Sequence, residues 1–154
     1  MGCWSDDVVP DETENPSETA DRKTIEFDEP EWISNIEMNW SLSWISFAIK
    51  IKEEVLIFRL DAQVQCCEEF GMRFGGQIDL LFNHRIKKIS LEEDVCTDIR
   101  FPDEEKYEDL LKEILTLTLE NEDKIQIAMF NIQNGYYGHT VECFGCGFNF
   151  RVVV

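Results

Sequence analysis

Four of the six cysteines in this 154-residue chain fall in two short clusters. One is Cys66-Cys67, followed by Glu68; the other is Cys143-x-x-Cys146. Thiols at such spacing serve metal coordination or disulfide chemistry. In Cys143-Phe144-Gly145-Cys146-Gly147 the glycines permit a knuckle whose amides turn toward the thiolates, as in zinc sites. A structural zinc takes four ligands, and Cys66, Cys67, His139 and His84 are the available completions. A single Cys-x-x-Cys is a weaker signal than the double pair of a zinc ribbon. A thioredoxin-like role wants the motif at a strand-to-helix junction, and a strand is expected here. Adjacent residues of a strand point to opposite faces, so an extended Cys66-Cys67 cannot put both thiols on one metal. A disulfide between them is strained, because a trans peptide holds neighbouring Cα atoms only about 3.8 Å apart. The pair reads as one core thiol and one surface or partner-facing thiol.

Other chemistry is thin. His84 and His139 are the only histidines. The serines lie in no nucleophile elbow, and the glycines form neither a phosphate-binding loop nor a dinucleotide fingerprint. The acids are numerous but not arranged as an acid and base pair. The chain therefore reads as a non-enzyme.

The net charge is −18. Residues 1–31 carry eleven acidic and two basic side chains, and the remaining 123 carry twenty-one and twelve. Half of the excess thus sits in a fifth of the chain. Such a field repels nucleic acid and anionic membranes and favours a basic partner; its plainer use is solubility. No apolar run of about 18 residues is present, which argues against a membrane-spanning helix. No secretory signal is visible, which points to a reducing, intracellular location. The Met-Gly-Cys start lacks the Ser or Thr that myristoylation wants at the sixth position, where Asp6 stands.

These residues must be positioned by a core that begins near Ile25. Residues 1–24 are polar and acidic, with Pro10 and Pro16, and read as a flexible or extended arm. Within it, Trp4, Val8 and Val9 could dock on a partner. Residues 25–154 read as one globular domain. Ile36, Met38 and Trp40 alternate with polar neighbours, as in a half-buried strand. WISFAIKI (44–51) and VLIFRL (55–60), joined through Lys52-Glu53-Glu54, predict a hairpin. Leu115, Leu117 and Leu119, then Ile125, Ile127 and Met129, predict two more strands around an Asn121–Lys124 turn. Asn134-Gly135 signals a further turn. A last strand pair is expected over 137–144 and 148–154. One helix is predicted over 103–114: Asp103 caps it, acids crowd its first turns, and Tyr107, Leu110, Leu111 and Ile114 fall at helical spacing. The sum is an α+β fold, a mainly antiparallel sheet with one packed helix.

Two segments resemble a small family of bacterial and phage proteins of unknown activity. That family has a Cys-Cys-Glu strand, here within Gln63–Glu68, and a C-terminal Asn-Gly-Tyr-Tyr turn, here Asn134-Gly135-Tyr136-Tyr137. The resemblance covers about residues 45–144. It implies a shared fold and a viral or phage-linked origin, with a virion as an alternative location, and no particular reaction. The chain departs from the pattern where the family has His and Asp before the cysteines, since Ala62, Gln63 and Gln65 stand there. The acidic arm and the Cys-x-x-Cys tail also lie outside the family pattern.

Three readings follow. The first is an interaction protein that binds another, basic-surfaced protein through its arm and sheet surface, with no cofactor and no direct contact to nucleic acid. The second is an acidic mimic of nucleic acid that inhibits a DNA- or RNA-binding protein, which requires the acids to line one surface. The third is a zinc-stabilised domain using Cys143 and Cys146 with Cys66, Cys67 or His139.

Overall fold

The computed structural model describes residues 22–63, 69–95, 97–101, 109–133 and 138–154. They form ten strands: β1 (Thr24–Glu31), β2 (Ile33–Trp40), β3 (Trp44–Ile51), β4 (Glu54–Asp61), β5 (Glu69–Gly75), β6 (Ile86–Glu92), β7 (Asp109–Leu119), β8 (Lys124–Gln133), β9 (Thr140–Gly145) and β10 (Phe148–Val153). A single 3-10 turn, Ile78–Phe82, joins β5 to β6. Every pairing is antiparallel. The strands make two five-stranded sheets in the orders β1-β6-β7-β8-β5 and β10-β9-β4-β3-β2, here the first and second sheet.

Alternation in the sequence explains the second sheet. In β3, Ile45, Phe47, Ile49 and Ile51 are buried and their neighbours half-buried. In β4, Leu56, Phe58 and Leu60 point the same way. These side chains meet Leu115, Leu117, Leu119, Ile125, Ile127 and Met129 of the first sheet in one core. Phe47 and Phe74 touch edge to face across it, with centroids 6.2 Å apart. Each fully buried side chain of this size contributes about 2 kcal/mol. The expected 44–60 hairpin is present, with Lys52 at φ +57 in its turn.

The expected α+β class is corrected: the described residues form two antiparallel sheets and contain no α-helix. Residues 102–108, the first part of the helix expected over 103–114, lie outside the described residues. Its remainder, 109–114, is the start of β7, paired with β8 from Asp109↔Gln133 to Ile114↔Ala128. The apolar spacing there is not helical amphipathicity. It comes from a strand buried on both sides: Leu111 packs on the inter-sheet core, while Ile114 joins Ile99 and Ala128 on the opposite face.

The chain passes between the sheets three times among these strands: from β1 to β2 through Trp32 alone, from β4 to β5, and from β8 to β9. β4 pairs with β9 and β5 with β8, so the last two crossings leave from the same end of the sandwich. The opposite end carries the β3–β4, β7–β8 and β9–β10 turns.

Candidate functional sites

The Cys143-x-x-Cys146 segment is the β9–β10 hairpin. Gly145 pairs with Phe148, leaving a two-residue loop of Cys146 at φ +53 and Gly147 at φ +93. Positive φ at both positions is the signature of a type I′ turn. Gly145 is required as well, since a Cβ there would lie 1.9 Å from the Val55 carbonyl oxygen. The glycines thus serve the turn. Cys143 faces the core between Phe58 and Phe150, and burial, with Cys146 and Glu113 nearby, pushes its thiol well above the usual range. Burial, with Glu54, also raises the Cys146 thiol. Neither thiol has the depressed pKa of a redox nucleophile.

His139 sits at the far end of β9. It is four residues from Cys143, roughly 13 Å along an extended strand, so the two cannot share a metal. Among the described residues no group of three His, Cys, Asp or Glu side chains converges as a metal site. His84 binds locally: its Nδ1 lies 2.7 Å from the Asn83 Oδ1. Cys66, Cys67, Trp4, Val8 and Val9 lie outside the described residues, as do Glu68 and Asn134–Tyr137, which carry the family resemblance. The described part of the proposed zinc set does not fit one ion.

Sequence reasoning missed two polar clusters inside the sandwich. At the crossing end, the His139 ring stacks on Phe70 with centroids 4.0 Å apart. Its Nδ1 donates to the Asp61 carbonyl at 2.7 Å. Asn131, fully buried on β8, donates through Nδ2 to the Val154 carbonyl at 3.1 Å. Asn131, set between Phe130 and Ile132 in β8, was the only local signal.

The second cluster is charged. Glu113 replaces an apolar residue on the core face of β7 and is fully buried. Arg22, which lies within the stretch read as the arm, reaches it with two hydrogen bonds of 3.1 and 2.6 Å. The guanidinium also lies 3.8 Å from Glu93 and 5.4 Å from the Phe150 ring centroid. Desolvation outweighs the guanidinium and pushes the Glu113 carboxyl up to about 7. Lys23 continues the tie, donating to the Gly147 carbonyl at 2.8 Å. Arg22 and Lys23 therefore belong to the folded body and join the two sheets at the β10 side.

The surfaces differ. The outward face of the second sheet carries Arg59, stacked on Trp44 at 3.8 Å and hydrogen-bonded to Glu142 at 2.9 Å. Arg151 approaches the same Glu142 at 3.5 Å. Met38 and Trp40 on β2 stand opposite Phe47 and Ile45, so they point to the inter-sheet side. They are nevertheless 41% and 60% exposed on this edge strand, and Leu42, just beyond, is 94% exposed. The described acids are spread over both sheets, and many are paired: Glu31 with Lys52, Glu120 with Arg85, Glu122 with Lys87, Glu142 with Arg59. One cleft, of about 390 Å³, gathers Glu26, Asp28, Glu29 and Glu31. No described helix is long and apolar enough to cross a membrane. No family model, no curated protein and no solved structure matches this chain.

Proposed function

We propose that the protein is a non-enzymatic interaction module that binds another protein through its second sheet and its acidic N-terminal segment. The observation that carries this reading is the group Met38, Trp40 and Leu42. Large apolar side chains exposed close together along one strand and its turn fit a macromolecular contact better than a solvated face. Aromatic and methionine side chains are also the types enriched at interface centres. The acidic cleft along β1, which also holds Lys52, favours a basic partner through long-range attraction. The dispersal and pairing of the other acids lend no support to a nucleic-acid mimic, which needs unpaired charge along one surface. The test is affinity capture with the full chain and with a chain lacking residues 1–21, which keeps the Arg22 tie. The full chain should retain a basic protein at moderate salt, and the shortened chain should retain less of it. A full chain that retains nothing beyond an inert protein of equal charge overturns the reading.

A further inference from the structure

Each sheet ends in two edge strands, and the four edges are treated differently. On β1, Pro30 removes a donor and the register shifts between Glu26 and Glu31, which spoils it for further pairing. On β5, residues 97–101 lie over the outer face: Ile99, packed with Ile114 and Ala128, would sit 2.8 Å from a Cβ at Gly75, and Arg73 donates to the Arg100 carbonyl at 3.2 Å. Beside β10, Arg22 covers the Phe150 ring and Lys23 holds the Gly147 carbonyl. β2 shares only a register shift, between Ile33 and Asn35, and pairs regularly from Asn35 to Trp40. It runs for eight residues, ISNIEMNW, without proline or lysine, and ends its sheet. Among the described residues its backbone pairs only with β3. Such an edge is a ready template for another strand.

We propose that the outer edge of β2 is a strand-addition site for an extended basic segment of another protein. This rests on the reading of the chain as a protein-binding module and names the surface and the partner. In strand addition, main-chain hydrogen bonds supply affinity and alternate side chains supply specificity. Met38 and Trp40 lie on one face of that edge, where alternate apolar residues of an added strand would cover them. Glu37 lies on the other face, and Glu29 and Glu31 lead into β2 from the acidic cleft. Charge selects the occupant. Residues 1–21 contain seven acids and no Lys or Arg, so this chain's own N-terminal segment is repelled. A second copy would bring a further −18 to the contact. A segment alternating Lys or Arg with β-branched residues covers the apolar face and sets a cation near Glu37.

The test uses the full chain and two synthetic eight-residue peptides of equal charge: alternating Lys-Val, and alternating Lys-Pro, which cannot complete a ladder. The Lys-Val peptide should bind at least about tenfold more tightly. Amide exchange should slow in Ile33–Trp40 and not in β5 or β10. Trp40→Ala, at an exposed position that leaves the core intact, should weaken Lys-Val binding several-fold and leave Lys-Pro binding unchanged. Equal binding of the two peptides, or slowed exchange on another edge, overturns the proposal. If the full chain captures a basic protein equally well with Trp40→Ala and Met38→Ala, the strand-addition site falls and the wider interaction reading stands. If it captures none, the wider reading falls with it.

Discussion

The two sheets bury their strands differently. In the second sheet, β3, β4 and β10 alternate: one face lies in the core and the other meets solvent or half-buried charge. In the first sheet, the central strands are buried on both faces, from Glu113 to Leu119 in β7 and from Ile125 to Ile132 in β8. Val95, Ile99 and Phe101 account for part of that cover, packing on Ile114 and Ala128, and Phe101 meets Phe130 edge to face at 5.2 Å. One sheet therefore acts as the structural centre, and the other is free to present a surface. Among the described residues, the outward side chains of the second sheet have a freedom to differ that those of β7 and β8 lack.

The largest effects should come from breaking this contrast where it is sharpest. Ile114 and Ile57 both point away from the inter-sheet core. Ile114→Ala should destabilise by about 3 kcal/mol, as for a buried cavity, and Ile57→Ala by about 1 kcal/mol. Urea unfolding of the two variants decides it, and equal losses would remove the distinction between the sheets.

The Arg22–Glu113 tie should come next. Arg22→Ala leaves a buried carboxyl without its guanidinium and should cost about 3 kcal/mol at pH 8. The pH dependence follows from the direction of the Glu113 shift. Its folded-state pKa lies above its unfolded value, so the folded protein binds the proton more tightly. The stability from this group is present below about pH 4.5 and is lost as pH rises toward about 7. The full span is on the order of 3 kcal/mol. Unfolding of the wild type and Glu113→Gln at pH 5, 6, 7 and 8 should show the wild type losing ground to the variant as pH rises. A difference that is flat with pH would contradict the assignment.

Smaller effects belong to the open face and the hairpin. Arg59→Ala removes a partly exposed ion pair and the stack on Trp44, and should cost no more than about 1 kcal/mol. Cys146→Asn puts a residue that tolerates positive φ into the turn and should stabilise by about 0.5 kcal/mol in thermal unfolding. A loss of stability that appears only after chelation of the wild type would instead restore a metal role for the hairpin.

The contrast between the sheets also explains what was legible in the chain. The 44–60 hairpin announced itself because alternation survives wherever one face meets water. Leu115, Leu117 and Leu119 were readable as a strand because threonines interrupt them. Leu110, Leu111 and Ile114 were not, because apolar residues on both faces of a strand resemble a short helix when counted along the chain. The Cys-x-x-Cys glycines were visible, but positive φ suits a tight turn and a metal knuckle alike. Only the pairing of Gly145 with Phe148 identified the turn. Glu113 and Arg22 are separated by 91 residues, and nothing local links them.

The sequence by itself determined the antiparallel character of the chain, its acidity and the core-facing half of each alternating strand, because these depend on periods of two and on summed charge. The tertiary structure alone decided which strands are covered on both faces, which edges are blunted and where the buried charge finds its partner. Those properties arise when distant segments meet, as 97–101 meet β5 and β7 and Arg22 meets β7 and β10, and no local pattern encodes the meeting.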